Sequence, residues 1–199
     1  MKFNSTKPII LASSSKIRSR ILNDSGIDFT AVSPFYDEDN EKKTLVKMSP
    51  KKLAMFLATK KAQSVSEKYP ESYIIGCDQV CEFDKKEFSK SKSLSDAILQ
   101  LNMFNGKIHY QNNACVVILN QKIIFKNFSR VTLKMRKLSS KQIENYVNFD
   151  SPIGCAGSYK YESQGKHLFE KVQGDYFAIL GLSIQPLINF LHSQKIINL

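Results

Sequence analysis

The chain has 199 residues, 42% of them hydrophobic, and a formal net charge of +11 from 29 basic against 18 acidic side chains. That length and apolar fraction suit one globular domain, with room for two lobes, and exclude a disordered chain. Its longest apolar runs, such as ACVVIL at 114–119, fall far short of the ~18 residues of a membrane span, and the four-residue apolar segment near the start is too short for a secretory signal, so a cytoplasmic protein is expected.

PIILASSSKIRSRIL at 8–22 opens with an apolar strand over 8–12 and turns through three serines. It then enters a helix from about 16 to 25, with Ile17, Ile21 and Leu22 on one face and Gly26 as its stop. DFTAVSP at 28–34 is a second extended segment leading into the acidic stretch YDEDNE. Ser49-Pro50 reads as an N-cap followed by proline at the first helical position, and predicts a helix through Leu53, Phe56, Leu57 and Ala58 to about Tyr69. SYIIGCDQVCEF at 72–83 is a strand, apolar enough to be mostly buried. The polar DKKEFSKSKS reads as a loop, and a helix follows from Ser95 to about Phe104. Two long β-rich runs around Asn120-Gln121 predict a hairpin. Ser139 begins another helix, DSPIGCAGSYKYESQG is irregular, a short segment reaches Gly174-Asp175, and a last helix starts near Pro186. No repeat or linker interrupts this order, so one α/β domain over residues 1–199 with a mixed sheet is expected.

The positive charge points to an anionic ligand without naming it. Nucleic-acid readers favour arginine for bidentate contacts, yet only Arg18, Arg20, Arg130 and Arg136 occur, and the lysines are spread along the chain. A solvated lysine-rich surface accounts for most of the charge. The four cysteines, Cys77, Cys81, Cys115 and Cys155, form no C-x-x-C pair and lie far from the three histidines, so no zinc site follows. Cys77 and Cys81 in a strand would share a face about 13 Å apart, too far for a disulfide. Walker A and G-x-G-x-x-G patterns are both absent.

Asp78 stands out as a carboxylate inside an apolar strand. A buried carboxylate without a partner costs several kcal/mol, so it needs an ion, a metal or a role. Alternatively, Asp78 caps the strand end and meets solvent. The serine turn is equally two-sided: a capped helix after an edge strand, or a phosphate cradle.

Taken in order, LASSS-x-x-R, Asp37-Glu38, LATKKA at 57–62, GCDQV at 76–80, SKS at 89–91, LNMFNGKIH at 101–109, AGSYKYESQG at 156–165 and GDYFAILGLSIQPL at 174–187 resemble the Maf family of nucleotide pyrophosphatases. The resemblance spans nearly the whole chain, and the ordered set carries it rather than any one motif. It implies an elongated mixed, twisted sheet flanked by helices, with two lobes around a cleft, similar to inosine-triphosphatase folds. It further implies hydrolysis of a nucleoside triphosphate to the monophosphate and pyrophosphate with a divalent metal, Mg2+ or Mn2+, and a homodimer.

By the same resemblance Ser13, Arg18, Lys61 and Lys90 hold phosphates, Asp78 is the catalytic carboxylate, and Glu38 and Asp78 hold the metal. The chemistry suits those residues: a helix N-terminus and hydroxyls offer donors to phosphate, Arg18 can grip two oxygens, and Mg2+ prefers a few carboxylates with water and phosphate oxygens. The serine turn is then a phosphate cradle. Asp78-Gln79 and Glu162 look like the branch that acts on 7-methyl-GTP, whereas the pyrimidine branch, acting on dTTP or UTP, typically shows Asp-Thr and a later glutamine. A carboxylate at 162 complements guanine's paired donors and the cationic methylated ring; alternatively, Glu162 is a surface residue paired with a lysine.

Three departures from the family pattern stand at Lys16-Ile17, Ser89-Lys90-Ser91 and Gly181-Leu182-Ser183, where proline is usual. Ser89-Lys90-Ser91 keeps the charge of the usual Gly-Lys-Pro loop and is expected to loosen its backbone. A basic nucleic-acid-binding module and a regulatory protein with weak catalysis are the competing function classes.

Overall fold

The computed structural model describes residues 2–36 and 48–198, and is organised around one seven-stranded mixed sheet. Strand β1 (Ile9–Ala12) leads through the serine turn into α1 (Lys16–Asp24), and β2 (Thr30–Val32) follows. Helix α2 (Pro50–Ser66) begins as its sequence directs, with the Ser49 side chain accepting from Lys52 N–H and proline in the first turn. Strand β3 (Tyr73–Phe83) precedes α3 (Leu94–Phe104) and the long hairpin of β5 (Ile108–Leu119) and β6 (Lys122–Met135). The hairpin turns at Asn120-Gln121, whose φ angles of 49° and 58° suit a two-residue turn that follows strand twist. Helix α4 (Ser140–Asp150) carries a full capping box from Ser139 and Gln142. A 3-10 turn (Gln164–Leu168), β7 (Phe169–Gln173), α5 (Tyr176–Leu180) and α6 (Ile184–Ser193) complete the chain.

Two elements differ from the sequence reading. Within the polar loop, Lys86–Phe88 forms β4, folded back on β3 by Asp84 and Lys85 at φ 50° and 61°. That turn contains no Gly or Asn, so it carries no recognisable hairpin signal. Helix α5 is only five residues long and lies between Gly174-Asp175 and the last helix, a stretch to which the sequence reading assigned no element. No helix among the described residues is long and apolar enough to cross a membrane.

The strand order is β2-β1-β3-β5-β6-β7, with β4 also on β3. β1 runs parallel to β3 along Tyr73–Gly76, and β4 runs antiparallel to it along Cys81–Phe83. β5 covers the other edge of β3 from Ile74 to Glu82. The β1-side edge at residues 77–80 is therefore flanked by two strands and covered by neither. That gap locates the site.

Alternation along β3 sends Ile74 and Val80 toward α2, where they pack with Leu53, Leu57 and Ala58. Ile75 and Cys77 face the other way, into a cluster with Leu22 of α1 and Leu187 and Leu191 of α6. A third cluster, at the β4 end, gathers Phe104, Leu133, Ile143, Val147 and Phe169. Two clusters thus sandwich the β1 half and one fills the β4 half, giving the two lobes. Helix α2 reaches β3 closely because Gly76 has no side chain: a Cβ there would lie 2.3 Å from the Ala58 carbonyl oxygen and 2.7 Å from Ala62 Cβ. All four cysteines are free thiols, three of them buried, and Cys77 and Cys115 face each other across β3 and β5 with sulfurs 3.7 Å apart.

His109 lies in the third cluster, fully buried, stacked on Phe104 at 4.6 Å and hydrogen-bonded through Nε2 to the Tyr159 hydroxyl at 3.0 Å. Burial disfavours its charged form and lowers its pKa from 6.5 to about 3. The unfolded chain takes up that proton near pH 6.5 and the folded chain does not until about pH 3, so stability falls as pH drops below about 6.5. Urea unfolding at pH 5.5 should show about 1.4 kcal/mol less stability than at pH 7.5 from this residue alone. His109→Gln should flatten that dependence; an equally steep slope in the variant would place its origin elsewhere.

Candidate active site

The gap beside β3 is entered from the carboxyl end of β1, where open α/β sheets commonly place ligands. After Ala12 the chain turns sharply, with Ser13 N–H donating to Leu11 O and Ser15 N–H to the Ser13 hydroxyl oxygen at 3.2 Å. The Ser15 hydroxyl accepts from Arg18 N–H at 3.4 Å and is the N-cap of α1. The capping half of the sequence reading is present in this turn: Ser15 closes the helix, whose first-turn N–H groups have no carbonyl partners within it. Arg18 extends from the same turn. Its Nε donates to the Gly181 carbonyl at 2.8 Å and its Nη1 to the Ser13 hydroxyl at 3.3 Å, leaving further N–H groups of the guanidinium for a ligand.

Asp78 sits in mid-strand on the face of β3 toward α2, 5% exposed. Lys61, one turn beyond Ala58 on α2, places Nζ 2.5 Å from Asp78 Oδ1. The reading of Asp78 as a solvent-facing strand cap is thereby excluded: it is a buried ion-pair member, and the nearby ammonium offsets the cost of burying its charge. Gln79 points to the opposite face, where Nε2 donates to the Ile179 carbonyl of α5 at 2.8 Å. Neighbours on opposite faces reach one cavity because no strand closes the edge between the faces.

Two adjoining hollows share Ser15, Arg18, Lys61, Lys90 and Gly154. The larger, about 460 Å³, is lined by those three cations and the hydroxyls of Ser13, Ser14, Ser15 and Ser33, with no carboxylate among the described residues that line it. The smaller, about 190 Å³, adds Asp78, Gln79 and Glu162 to a wall of Ile17, Tyr159, Tyr161 and Ile179. The first compartment suits a polyanion, and the second suits a flat group with apolar faces and a polar edge. A still larger depression of about 710 Å³, between α4 and the 3-10 turn, contains none of the candidate residues. Its volume reflects an open surface groove between helices, whereas the candidate residues gather at the gap.

The altered loops are well held. Ser91 is buried, its carbonyl accepts from Gly154 N–H at 3.0 Å, and its hydroxyl donates to the Pro152 carbonyl at 3.4 Å. The expected loosening at Ser89-Lys90-Ser91 is offset by these ties, which join the Lys90 loop to the segment after α4. Ser183 donates its hydroxyl proton to Asp175 Oδ2 at 2.5 Å and, through its N–H, binds Asn113 Oδ1 at 3.0 Å. Asp175 also caps α5 through Phe177 N–H at 2.9 Å, so this short helix is fixed at its start, while its last carbonyls bind Gln79 and, just beyond, Arg18.

Of the residues singled out from the sequence, Ser13, Arg18, Lys61, Asp78, Gln79, Lys90 and Glu162 all line the paired hollows. Glu38 lies outside the described residues. The aromatic wall, Tyr159 and Tyr161, was missed, although its alternation in AGSYKYE is visible in the sequence. So was Cys155, whose thiol burial pushes above its ordinary range. Burial likewise pushes the Tyr159 phenol far up, so it stays protonated.

Among the described residues, no group of three or more His, Cys, Asp or Glu side chains could hold a metal alone. Mg2+, however, often takes one or two carboxylates and completes its shell with water and substrate phosphates. Asp78, beside the cation-lined hollow, supplies one such carboxylate.

Residues 8–194 match the model of a family described as Maf-like protein. Over 198 residues the chain is 38% identical to a nucleoside triphosphate pyrophosphatase of Legionella pneumophila strain Philadelphia 1, covering 100% of this chain and 99% of that protein. Over 192 residues it is 37% identical to a 7-methyl-GTP pyrophosphatase of Bartonella henselae, covering 96% and 97%. Among solved structures, the Staphylococcus aureus Ham1 protein shares the fold at a TM-score of 0.50 and 12% identity, covering 94% of this chain and 100% of that one.

Proposed function

The chain belongs to the Maf-like protein family, and on that premise we propose that it hydrolyses nucleoside triphosphates to the monophosphate and pyrophosphate, with 7-methyl-GTP as the preferred substrate. The observation that carries the reading is the adjacency of a hydroxyl-lined, three-cation compartment to the buried Asp78–Lys61 pair.

The β- and γ-phosphates occupy the cationic compartment, held by Arg18, Lys61, Lys90 and the serine turn, and the base enters the compartment of Tyr159, Tyr161 and Glu162. The α-phosphate then lies at the junction, next to Asp78. Asp78 orients a water and accepts its proton as the water oxygen bonds to the α-phosphorus. The bond from that phosphorus to the bridging oxygen breaks, and pyrophosphate leaves with its charge met by the same cations. Fixed donors aimed at developing charge supply most of such an acceleration. A divalent cation, Mg2+ or Mn2+, would be held by Asp78 with Glu38 as the other expected ligand, and when bound it neutralises phosphate charge. Lys61 keeps the Asp78 carboxylate in place for either role.

Glu162 is exposed at the mouth of the base compartment and makes no ion pair among the described residues, which disfavours a lysine-paired surface role. Its carboxylate can accept from both donors on guanine's edge. Glu162→Gln sets a donor against a donor and removes the charge that favours a methylated base. The loss should be ~1.5–3 kcal/mol, or one to two powers of ten in kcat/KM for 7-methyl-GTP, while UTP and dTTP hydrolysis holds or rises. Steady-state kinetics on the three nucleotides check this. An equal loss on all of them would move Glu162 into the phosphate machinery, and a wild-type preference for UTP or dTTP would replace the substrate assignment.

A further inference from the structure

We propose that Tyr161 is the stacking platform that reads the positive charge of a methylated guanine, an inference that rests on the 7-methyl-GTP reading above. The problem it answers is electrostatic. Arg18, Lys61 and Lys90 line the same hollow as the base wall, against the carboxylates of Asp78 and Glu162, so a cationic base enters a site already rich in positive charge. Preference for it over unmethylated guanine needs a group that gains from the ring's charge at short range. An aromatic face does so through its quadrupole.

Tyr161 is half-buried and lines the hollow beside Glu162. Its aromatic neighbours do not stack on it: Tyr176 meets it in a T-shaped contact at 5.8 Å and Phe169 at a 37° tilt and 5.9 Å. Tyr159, by contrast, is buried in a closed network with His109 and Gln111 and packs edge-on against Phe169.

The backbone around Tyr161 is pinned on both sides by one residue. Lys160 Nζ donates to the Asp150 carbonyl at 2.7 Å, and the Ser163 hydroxyl donates to Asp150 Oδ1 at 2.6 Å. Lys160 N–H also binds the Tyr146 hydroxyl at 2.9 Å. The pair Tyr161-Glu162 is thus presented as a rigid unit, one ring and one carboxylate, both suited to a flat cation.

The test is kcat/KM for 7-methyl-GTP, GTP and UTP in wild type, Tyr161→Phe and Tyr161→Leu. Tyr161→Phe keeps the face and should keep the 7-methyl-GTP to GTP ratio. Tyr161→Leu keeps apolar bulk without the quadrupole, and should lower that ratio by about tenfold, with GTP falling by a smaller factor. A Tyr161→Leu protein whose ratio is unchanged, or in which all three nucleotides fall alike, overturns the stacking role. A wild type with no preference for 7-methyl-GTP overturns the substrate reading itself, which is a separate result. The Tyr161→Phe variant guards against a folding defect, because loss of the ratio there as well would assign the effect to the hydroxyl and not to the ring.

Discussion

Asp78→Asn should lower turnover by about two to four powers of ten while leaving the chain folded. On the proposed mechanism the carboxylate is needed as a charge whether it takes a proton from water or holds the cation, and asparagine supplies neither function. The fold should survive because Asn Oδ1 can still accept from Lys61 Nζ, and because Lys61 also lines the open hollow beside the serine turn. Breaking a buried pair by removing one partner costs about 3–5 kcal/mol, and the retained hydrogen bond should keep the loss at or below the lower end of that range. Turnover and urea midpoints of Asp78→Asn, Lys61→Met and the double variant separate these terms. If the two side chains act as a unit, the double variant should lose little more turnover than Asp78→Asn alone. A folded Asp78→Asn enzyme with near-normal turnover would remove the residue from the chemistry.

Gly76→Ala carries the second large effect, although Gly76 lines neither hollow. The added carbon would lie 2.3 Å from a backbone oxygen of α2, which cannot swing aside as a side-chain tip could. Either the helix or the strand must move. Overpacking of this kind costs about 1–3 kcal/mol. The functional cost follows from what α2 carries: Lys61 lies between Ala58 and Ala62, the two residues that press on Gly76, so displacing the helix draws Nζ from Asp78. A misplacement of about 1 Å can lower a rate a hundredfold. Loss of both urea midpoint and turnover is expected, and Gly76→Val should be worse. Wild-type values in Gly76→Ala would show that the helix has room to spare.

Where the elements were legible from sequence, long periodic or well-signed stretches carried them. Ser49-Pro50 announced α2, Ser139 announced α4, and the two apolar runs around Asn120-Gln121 announced the hairpin, because caps, turns and alternation are local and repeat over many residues. β4 and α5 were not legible: three and five residues are too few for a period, and both exist through tertiary ties, β4 to β3 and α5 through Asp175, Gln79 and Arg18. The same division holds for the site. Asp78 was conspicuous as a charge in an apolar strand, and family resemblance supplied its partners across the chain. That Gln79 faces α5 while Asp78 faces α2, yet both reach one cavity, depends on an uncovered strand edge that no local pattern encodes. Tyr161 went unweighed because an aromatic in an irregular segment reads equally as packing.

The continuity of the central strands bears on how the molecule handles its substrate. β5 and β6, of 12 and 14 residues, pass unbroken from the β1 half to the β4 half, and β3 joins them over nearly the same span. Domain closure in most two-lobed enzymes pivots on loops or element ends, and here the halves are bridged by a ladder of interstrand bonds instead. The cleft therefore behaves as a caliper of set width and not as a jaw. Recognition is then a matter of what fits between fixed walls, and the rim segments bearing Lys90 and Tyr161, tied down through Ser91 and Asp150, hold that width too.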